Sequence, residues 1–159
     1  MARGPLAAGG AYGQSCVVIR HLKLWHFPAS RSARVKWMLH ETVGEAFETV
    51  RVAVYQGAQY EGEFLQRNPN HAVPVLEIGW DDGRTQVMIE SAAMVEFLAD
   101  AHPGLGLAPP PGASAARADY LQMLHFGSTW VDMMLWQIRV HEHVLPEAQR
   151  DERTIARYR

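Results

Sequence analysis

A short stretch early in the chain brings together several side chains that could do chemistry. His26 titrates near neutral pH and could act as a base or as a hydrogen-bond donor. Ser30 and Ser32 carry hydroxyl groups, and Arg31 and Arg34 carry guanidinium groups that pair well with carboxylates. A structural interpretation also exists, because serines cap helices, a lone strand histidine is commonly packed or solvated, and arginines often face water. The stretch is therefore a candidate binding site, with that alternative left open.

The histidines near the carboxyl end suggest a metal site that their spacing does not favour. His141 and His143 are two residues apart in a helical pattern, so their rings point about 200° away from each other. A zinc pair on one helix needs spacing i and i+4 instead. We therefore predict no metal site.

The elements that position these residues follow from the hydrophobic pattern. Bulky residues predict a strand at residues 21–27, and a helix then runs from Ser30 or Ser32 to Gly44. We predict the remaining elements as a strand at 47–54, a helix at 60–67, strands at 73–78 and 85–89, a helix from 90 to about 102, and one long helix at 113–144. Pro74 lies inside a predicted strand, so it belongs at a sheet edge, a bulge or a cis turn.

The remaining segments indicate where the domains begin and end. Residues 1–20 are rich in Gly and Ala, so we expect a disordered leader there, and Pro and Gly in residues 104–112 indicate a linker. Residues 151–159 resemble the start of a further helix without a packing partner. The predicted order is βαβαββα followed by helices alone, which is an α/β domain and then a partial all-α domain.

Composition excludes some classes of function. The formal net charge is −2 and no basic face is evident, which argues against a nucleic-acid partner. No apolar stretch approaches the ~20 residues of a membrane span. Cys16 is the single cysteine, so an intrachain disulfide and a Cys-x-x-Cys centre are excluded, and a reducing cytoplasm is the natural expectation.

Four stretches together resemble the glutathione S-transferase family. They are LKLWHFPASRSARVKWMLHE, NPNHAVPVLEI, MIESAAMVEFLA and the Pro-rich linker that leads into the long helix. Each motif alone is only moderately specific, but their order and spacing over residues 20–145 are specific. The resemblance implies a thioredoxin-like, glutathione-binding domain at residues 21–103 and a partial C-terminal helical domain at 113–159.

The resemblance also implies which residues bind glutathione. In the family, the residue before a cis-proline pairs through its backbone with the cysteinyl part of the ligand, and Val73 and Pro74 match those positions. Ser91, at a helix start, would hold the glutamyl carboxylate, and Glu90 would pair with the ammonium group. The alternatives are an ordinary N-cap for Glu90 and Ser91, and an edge-strand proline for Pro74.

Catalysis in serine-type members uses a hydroxyl from the turn after the first strand. A hydrogen bond donated to the glutathione thiolate lowers the pKa of the thiol. Ser30 matches that position and is the predicted catalytic residue, with Ser32 as the close competitor and Arg31 as a further ligand. His26 stands where tyrosine-type members have tyrosine, no cysteine occupies the turn, and His71 replaces a glycine usual before Val-Pro.

The resemblance implies a cytoplasmic glutathione transferase that conjugates glutathione, as co-substrate, to an electrophilic small molecule without a tightly bound cofactor. Trp130, Met133, Met134 and Trp136 form an apolar stripe on the long helix, which we expect to be mainly helix-bundle core. In the family this helix also borders the electrophile pocket, and it contributes to an expected homodimer. The alternatives are a non-catalytic protein-binding module of the same fold and a fragment that does not persist as a stable protein.

Overall fold

The computed structural model describes residues 18–159. Cys16 and most of the predicted leader lie outside the described residues. The predicted boundary of the leader, residue 20, is wrong, because the first strand already includes Ile19 and Arg20. Ile19 pairs with Trp80 and packs against the core, which explains why the strand starts earlier than expected.

A mixed sheet of four strands forms the centre of the first domain, in the order β2-β1-β3-β4. Strand β1 runs parallel to β2 and antiparallel to β3, and β3 runs antiparallel to β4. This is the predicted thioredoxin-like arrangement. The strands span β1 Ile19–His26, β2 Glu48–Arg51, β3 Val75–Trp80 and β4 Thr85–Met88.

Helices cover both faces of the sheet: α1 (Ser32–Val43) and α3 (Ser91–Ala101) pack on one face, and the short α2 (Gly62–Arg67) packs on the other. Because side chains alternate along a strand, neighbouring residues of β1 serve opposite faces. Leu24 is fully buried under α1 and α3, and Trp25 lies in the smaller core beneath α2.

Strand β2 is shorter in the structure than predicted. Strand β2 ends at Arg51 because β1 ends at His26, whose carbonyl accepts a last hydrogen bond from Val52 N at 2.9 Å. Two 3₁₀ turns, Val54–Gln56 and Ala58–Tyr60, follow instead of further strand, and α2 then starts two residues after the predicted start.

The segment before β3 is a loop and not strand, since β3 starts at Val75, and this loop contains the cis Val73–Pro74 peptide bond. The buried Asn68 organises this loop: its side-chain nitrogen donates to Ala72 O at 2.7 Å and its oxygen accepts from Asn70 N at 3.0 Å. Strands β3 and β4 form a hairpin whose turn is Asp81-Asp82-Gly83, a sequence typical of such turns, with Gly83 in the left-handed region at φ 85°.

The long helix is confirmed at residues 115–144, beginning two residues after the predicted start because Ser114 caps it by accepting from Arg117 N at 3.2 Å. It consists of α4 (Ala115–Phe126), a wider turn, α5 (Asp132–Arg139) and a second wider turn. In the first wider turn, Thr129 donates its hydroxyl to His125 O at 2.7 Å. Side-chain donors of this kind compete with backbone N–H groups for the same carbonyl oxygen, and this competition occurs here in the wider turn.

The C-terminal segment does have a packing partner, so the prediction of an unpartnered helix is wrong. Helix α6 (Glu152–Tyr158) packs against α5, and Asp151 N donates to His141 Nδ1 at 3.0 Å. Buried Arg117 ties the long helix to α3 through two 2.8 Å bonds to the Asp100 carboxylate. The assignment of residues 104–112 as a domain linker stays a prediction.

Within residues 18–159, no helix combines the length and the apolar character needed to cross a membrane. Over the same residues, no group of three or more histidine, cysteine or acidic side chains is arranged to hold a metal ion.

Candidate functional site

A cavity of about 660 Å³ lies between the start of α1 and the face of α5. The 3₁₀ turns after β2 and the loop before Pro74 complete its walls. Of the predicted site residues, Ser30, Arg31 and Val73 line it directly, whereas Pro74, Glu90 and Ser91 do not. The lining comprises Phe27, Ala29, Ser30, Arg31, Arg34, Val54, Tyr55, Gln59, Tyr60, Asn70, His71, Ala72, Val73, Asp132, Leu135, Trp136, Arg139 and Val144.

The two serines of the β1–α1 turn have different positions. Ser30 lines the cavity, and its hydroxyl donates to Phe27 O at 2.7 Å and accepts from Ser32 N at 3.2 Å. Ser32 is fully buried, where its hydroxyl accepts from Phe27 N at 3.1 Å. Arg31, and neither serine, occupies the N-cap position of α1. Of these two serines, only Ser30 can therefore present its hydroxyl to a ligand in the cavity.

His26 contacts the buried serine and not the cavity. Its Nδ1 lies 2.7 Å from Ser32 Oγ, and Ser32 Oγ lies 2.7 Å from Ser30 Oγ. Burial, assisted by the charge of Lys36, lowers the pKa of His26 below its ordinary value. The imidazole is consequently neutral at neutral pH, and it is linked to the cavity through the two serine hydroxyl groups.

Arg31 and Arg34 converge on one carboxylate from the second domain. Asp132 of α5 forms ion pairs with Arg31 Nε and, at 2.5 Å, with Arg34 Nη2. Burial acts to raise the pKa of Asp132, but the hydrogen bonds and charges of the two arginines outweigh it and hold that pKa below the ordinary value. This three-residue cluster, the Arg31–Asp132–Arg34 triad, fixes α5 beside Ser30.

Glu90 and Ser91 lie next to the cavity, joined to it by Arg34. Arg34 Nη1 donates to Ser91 Oγ at 3.5 Å, and Ser91 is buried as the first residue of α3. Glu90 adopts φ 74° and makes no side-chain capping bond, so its side chain does not serve as an ordinary N-cap. Its exposed carboxylate is free for another role in the part of the chain that the structure describes.

Several cavity residues were not found from the sequence. Gln59 Oε1 is buried without a hydrogen-bond donor among the described residues. A buried acceptor left unpaired costs about 1–3 kcal/mol, so a ligand that donated to it would be stabilised. Gln59 lies between the strand predicted at 47–54 and the helix predicted at 60–67, in a connection whose residues do not indicate a site. Asp132, Tyr55 and Arg139 were also missed.

The apolar stripe of the long helix is not mainly core. Trp136 lines the cavity with the Arg31 guanidinium 5.2 Å from its ring centre, while Trp130 and Met133 are exposed. The expectation that the stripe lies inside a helix bundle is therefore wrong for these residues. No described helix packs over Trp130 or Met133 closely enough to bury it.

Comparison with known proteins points to one family. Residues 20–100 match the family described as "Glutathione S-transferase, N-terminal domain". The chain is 38% identical over 85 residues to a maleylacetoacetate isomerase of Rhizobium meliloti (strain 1021), covering 54% of this chain and 36% of the relative. It is 28% identical over 127 residues to glutathione S-transferase D7 of Anopheles gambiae, covering 79% of this chain and 53% of the relative.

Solved structures show the same likeness over most of this chain. A Phanerochaete chrysosporium glutathione transferase with oxidized glutathione superimposes with a TM-score of 0.75 at 25% identity, covering 87% of this chain and 60% of that one. A Burkholderia graminis glutathione transferase, with two glutathione molecules bound per subunit, gives 0.72 at 27% identity, covering 87% and 56%. For the two curated relatives above, the isomerase and the Anopheles gambiae transferase, the chain spans 36% and 53% of their length.

Proposed function

Because the chain belongs to the glutathione S-transferase family, we propose that it binds glutathione in the cavity beside Ser30 and joins the glutathione thiolate to an electrophilic small molecule. The observation that carries the proposal is the position of the Ser30 hydroxyl. It lies at the wall of the cavity, at the amino end of α1, with Val73 in the same cavity lining. The relatives' structures with bound glutathione support the choice of ligand.

In the proposed reaction, Ser30 stabilises the reactive form of the co-substrate. A free thiol has a pKa of about 8.5 and is mostly protonated at neutral pH, whereas the thiolate is the nucleophile. The Ser30 hydroxyl would turn from Phe27 O to donate to the sulfur, and the amino end of α1 adds positive potential. The thiol proton leaves to solvent, a carbon–sulfur bond forms, and the leaving group departs with its electron pair.

The other ligand assignments follow the extended shape of glutathione. Val73 would pair through its backbone with the cysteinyl part, and Pro74 shapes that loop from a buried position. Ser91 would offer its amide to the glutamyl carboxylate, and exposed Glu90 would accept the ammonium group. Arg31 adds positive charge to the wall next to the thiol, and Gln59 Oε1 offers an acceptor to a ligand N–H group.

A second activity of the same site is isomerisation, and the maleylacetoacetate isomerase relative favours it. A thiolate that adds to an activated carbon–carbon double bond allows rotation about that bond. Elimination of the thiolate then regenerates glutathione. Conjugation consumes glutathione and isomerisation does not, so measuring the glutathione concentration after turnover separates the two.

The test begins with calorimetric titration of the full chain with glutathione and with an analogue in which serine replaces cysteine. Saturable binding that weakens without the thiol supports the proposal, and conjugation of a neutral chloronitroarene then tests turnover. Folded, monodisperse protein that binds neither peptide would contradict it and favour the protein-binding alternative. Ser128→Ala on the long helix serves as a serine control, since Ser128 does not line the cavity.

Homodimer formation and a cytoplasmic location stay part of the proposal. The exposed side chains of Met123, Phe126 and Trp130 on the long helix support the dimer, because apolar surface of this kind commonly marks an interface. Sedimentation equilibrium of the full chain measures this, and a monomer at micromolar concentration would count against it.

A further inference from the structure

One face of α5 presents an ordered row of side chains to the cavity. Asp132, Leu135, Trp136 and Arg139 all line it, at helical spacing i, i+3, i+4 and i+7. With a rise of about 1.5 Å per residue, the two ends of this row are about 10 Å apart. The acidic end contacts Arg31 and Arg34 near Ser30, and the Arg139 end lies farther along the same wall.

Arg139 has N–H donors that make no hydrogen bond to the described residues. Its Nη2 donates to the Tyr55 hydroxyl at 3.1 Å, across the cavity from α5 to the turn after β2. Over residues 18–159, no carboxylate lies within ion-pair distance of Arg139. A guanidinium has five N–H donors in a planar fork that fits a carboxylate. The Tyr55 ring is itself held by Phe27, at 5.1 Å between ring centres and nearly perpendicular.

The charge of the cavity is unbalanced. Its described lining contains three arginines and one acidic residue, Asp132, whose charge is already shared by Arg31 and Arg34. Between the triad and Arg139 the wall is apolar, formed by Leu135 and Trp136. An apolar slot with a cationic end fits a ligand that has an apolar body and a terminal carboxylate.

We propose that Arg139 and Tyr55 form a carboxylate clamp for the second substrate, so that the site selects electrophiles carrying a carboxylate. This assignment rests on the proposed function, since it takes the thiolate to lie near Ser30. Anchoring the carboxylate at Arg139 would leave the apolar body on Trp136 and direct the reactive carbon towards that thiolate. The glycyl carboxylate of glutathione offers the same chemistry, so the experiment must distinguish the two sources.

The test uses a matched pair of chloronitroarenes that differ only in a para substituent, a carboxylate or a carboxamide, together with their two glutathione conjugates. The difference between charge-assisted and neutral hydrogen bonds predicts that Arg139→Gln lowers kcat/KM for the carboxylate about 10- to 100-fold and lowers it much less for the carboxamide. Tyr55→Phe should give a smaller loss of the same selectivity. Arg153→Gln removes the same charge from an exposed site outside the cavity and should change neither substrate.

Calorimetry of the two conjugates provides a measurement independent of turnover. The carboxylate conjugate should bind wild-type protein more tightly than the carboxamide conjugate, and Arg139→Gln should abolish that difference while the affinity for glutathione alone stays constant. Weaker glutathione binding by Arg139→Gln would assign the clamp to the glycyl carboxylate and overturn the proposal. Equal affinity of wild-type protein for both conjugates would also overturn it, whereas failure of the proposed function would appear as no conjugation of the neutral substrate.

Discussion

Replacing Asp132 by asparagine should destabilise the protein, because it removes the carboxylate that holds Arg31 and Arg34. The Asp132 side chain is 14% exposed, whereas each arginine side chain is 37% exposed, so the triad is neither fully buried nor at the surface. Breaking a fully buried pair costs about 3–5 kcal/mol, and exposed pairs contribute at most about 1 kcal/mol. Discounting for the exposed arginines gives an expected loss of about 1–2 kcal/mol.

The pH dependence of this loss follows from the lowered pKa of Asp132. A carboxyl whose pKa is lower in the folded than in the unfolded protein adds stability above its unfolded pKa, near 3.9. That contribution disappears as the pH falls through the lower folded pKa. The free energies of unfolding of wild-type protein and Asp132→Asn should therefore differ by a constant amount from pH 7 to about pH 5, and the difference should shrink below about pH 4.

Urea unfolding at a series of pH values measures these differences. Asp119→Asn is the matched control, because Asp119 is exposed on α4 and makes no side-chain hydrogen bond or ion pair in the described chain. If Asp132→Asn and Asp119→Asn lose the same stability at pH 7, the triad does not stabilise the fold and the reasoning is refuted. A double-mutant cycle with Arg34→Gln should give a coupling energy of about 0.5–3 kcal/mol.

Three further predictions concern the cavity and the turn behind it. Ser30→Ala should lower kcat/KM for conjugation about 10- to 100-fold, while the affinity for glutathione changes little. Part of the lost activity should return at higher pH, because the thiol ionises there without the hydroxyl. If the ratio of mutant to wild-type kcat/KM stays constant across pH, the prediction is contradicted. Gln59→Leu should weaken glutathione binding in calorimetry if the ligand donates to Gln59 Oε1, and unchanged affinity would leave that acceptor without a role. Burial lowers the pKa of His26, so the neutral imidazole makes its full contribution to the free energy of unfolding above about pH 6.5, and that contribution declines as the pH falls through the lower folded pKa. His26→Gln should remove this decline. If the free energy of unfolding of His26→Gln still declines over the same pH range, other groups cause the decline.

The elements around the sheet were largely predictable because local patterns determine them. Alternation in β1 and the apolar positions of α1 and α3 reflect one core, and the Asp81-Asp82-Gly83 turn has few conformations open to it. Strand β2 was predicted too long, since its end depends on where β1 ends, and no property of residues 52–54 encodes that.

The candidate site was predictable only where residues share a local motif. Ser30, Arg31 and Val73 line one cavity, as expected from the turn after β1 and from Val-Pro. Asp132 and Arg139 could not be assigned, because their partners Arg34 and Tyr55 are 98 and 84 residues away in the chain. Sequence periodicity shows that residues share a helical face, but it does not show which surface that face meets.

The two domains contribute different groups to the cavity around the triad. The first domain supplies the uncharged Ser30 hydroxyl and Val73 loop, together with the two arginines of the triad. Asp132 comes from the second domain and offsets one of the two positive charges of Arg31 and Arg34, so the net charge of the triad is +1. In the proposed reaction, one excess positive charge beside the hydroxyl would favour a thiolate over a thiol, while a second one would hold the thiolate more tightly and make it less nucleophilic. Asp132 thus both fixes the position of α5 and limits the positive potential at the place where the sulfur would react.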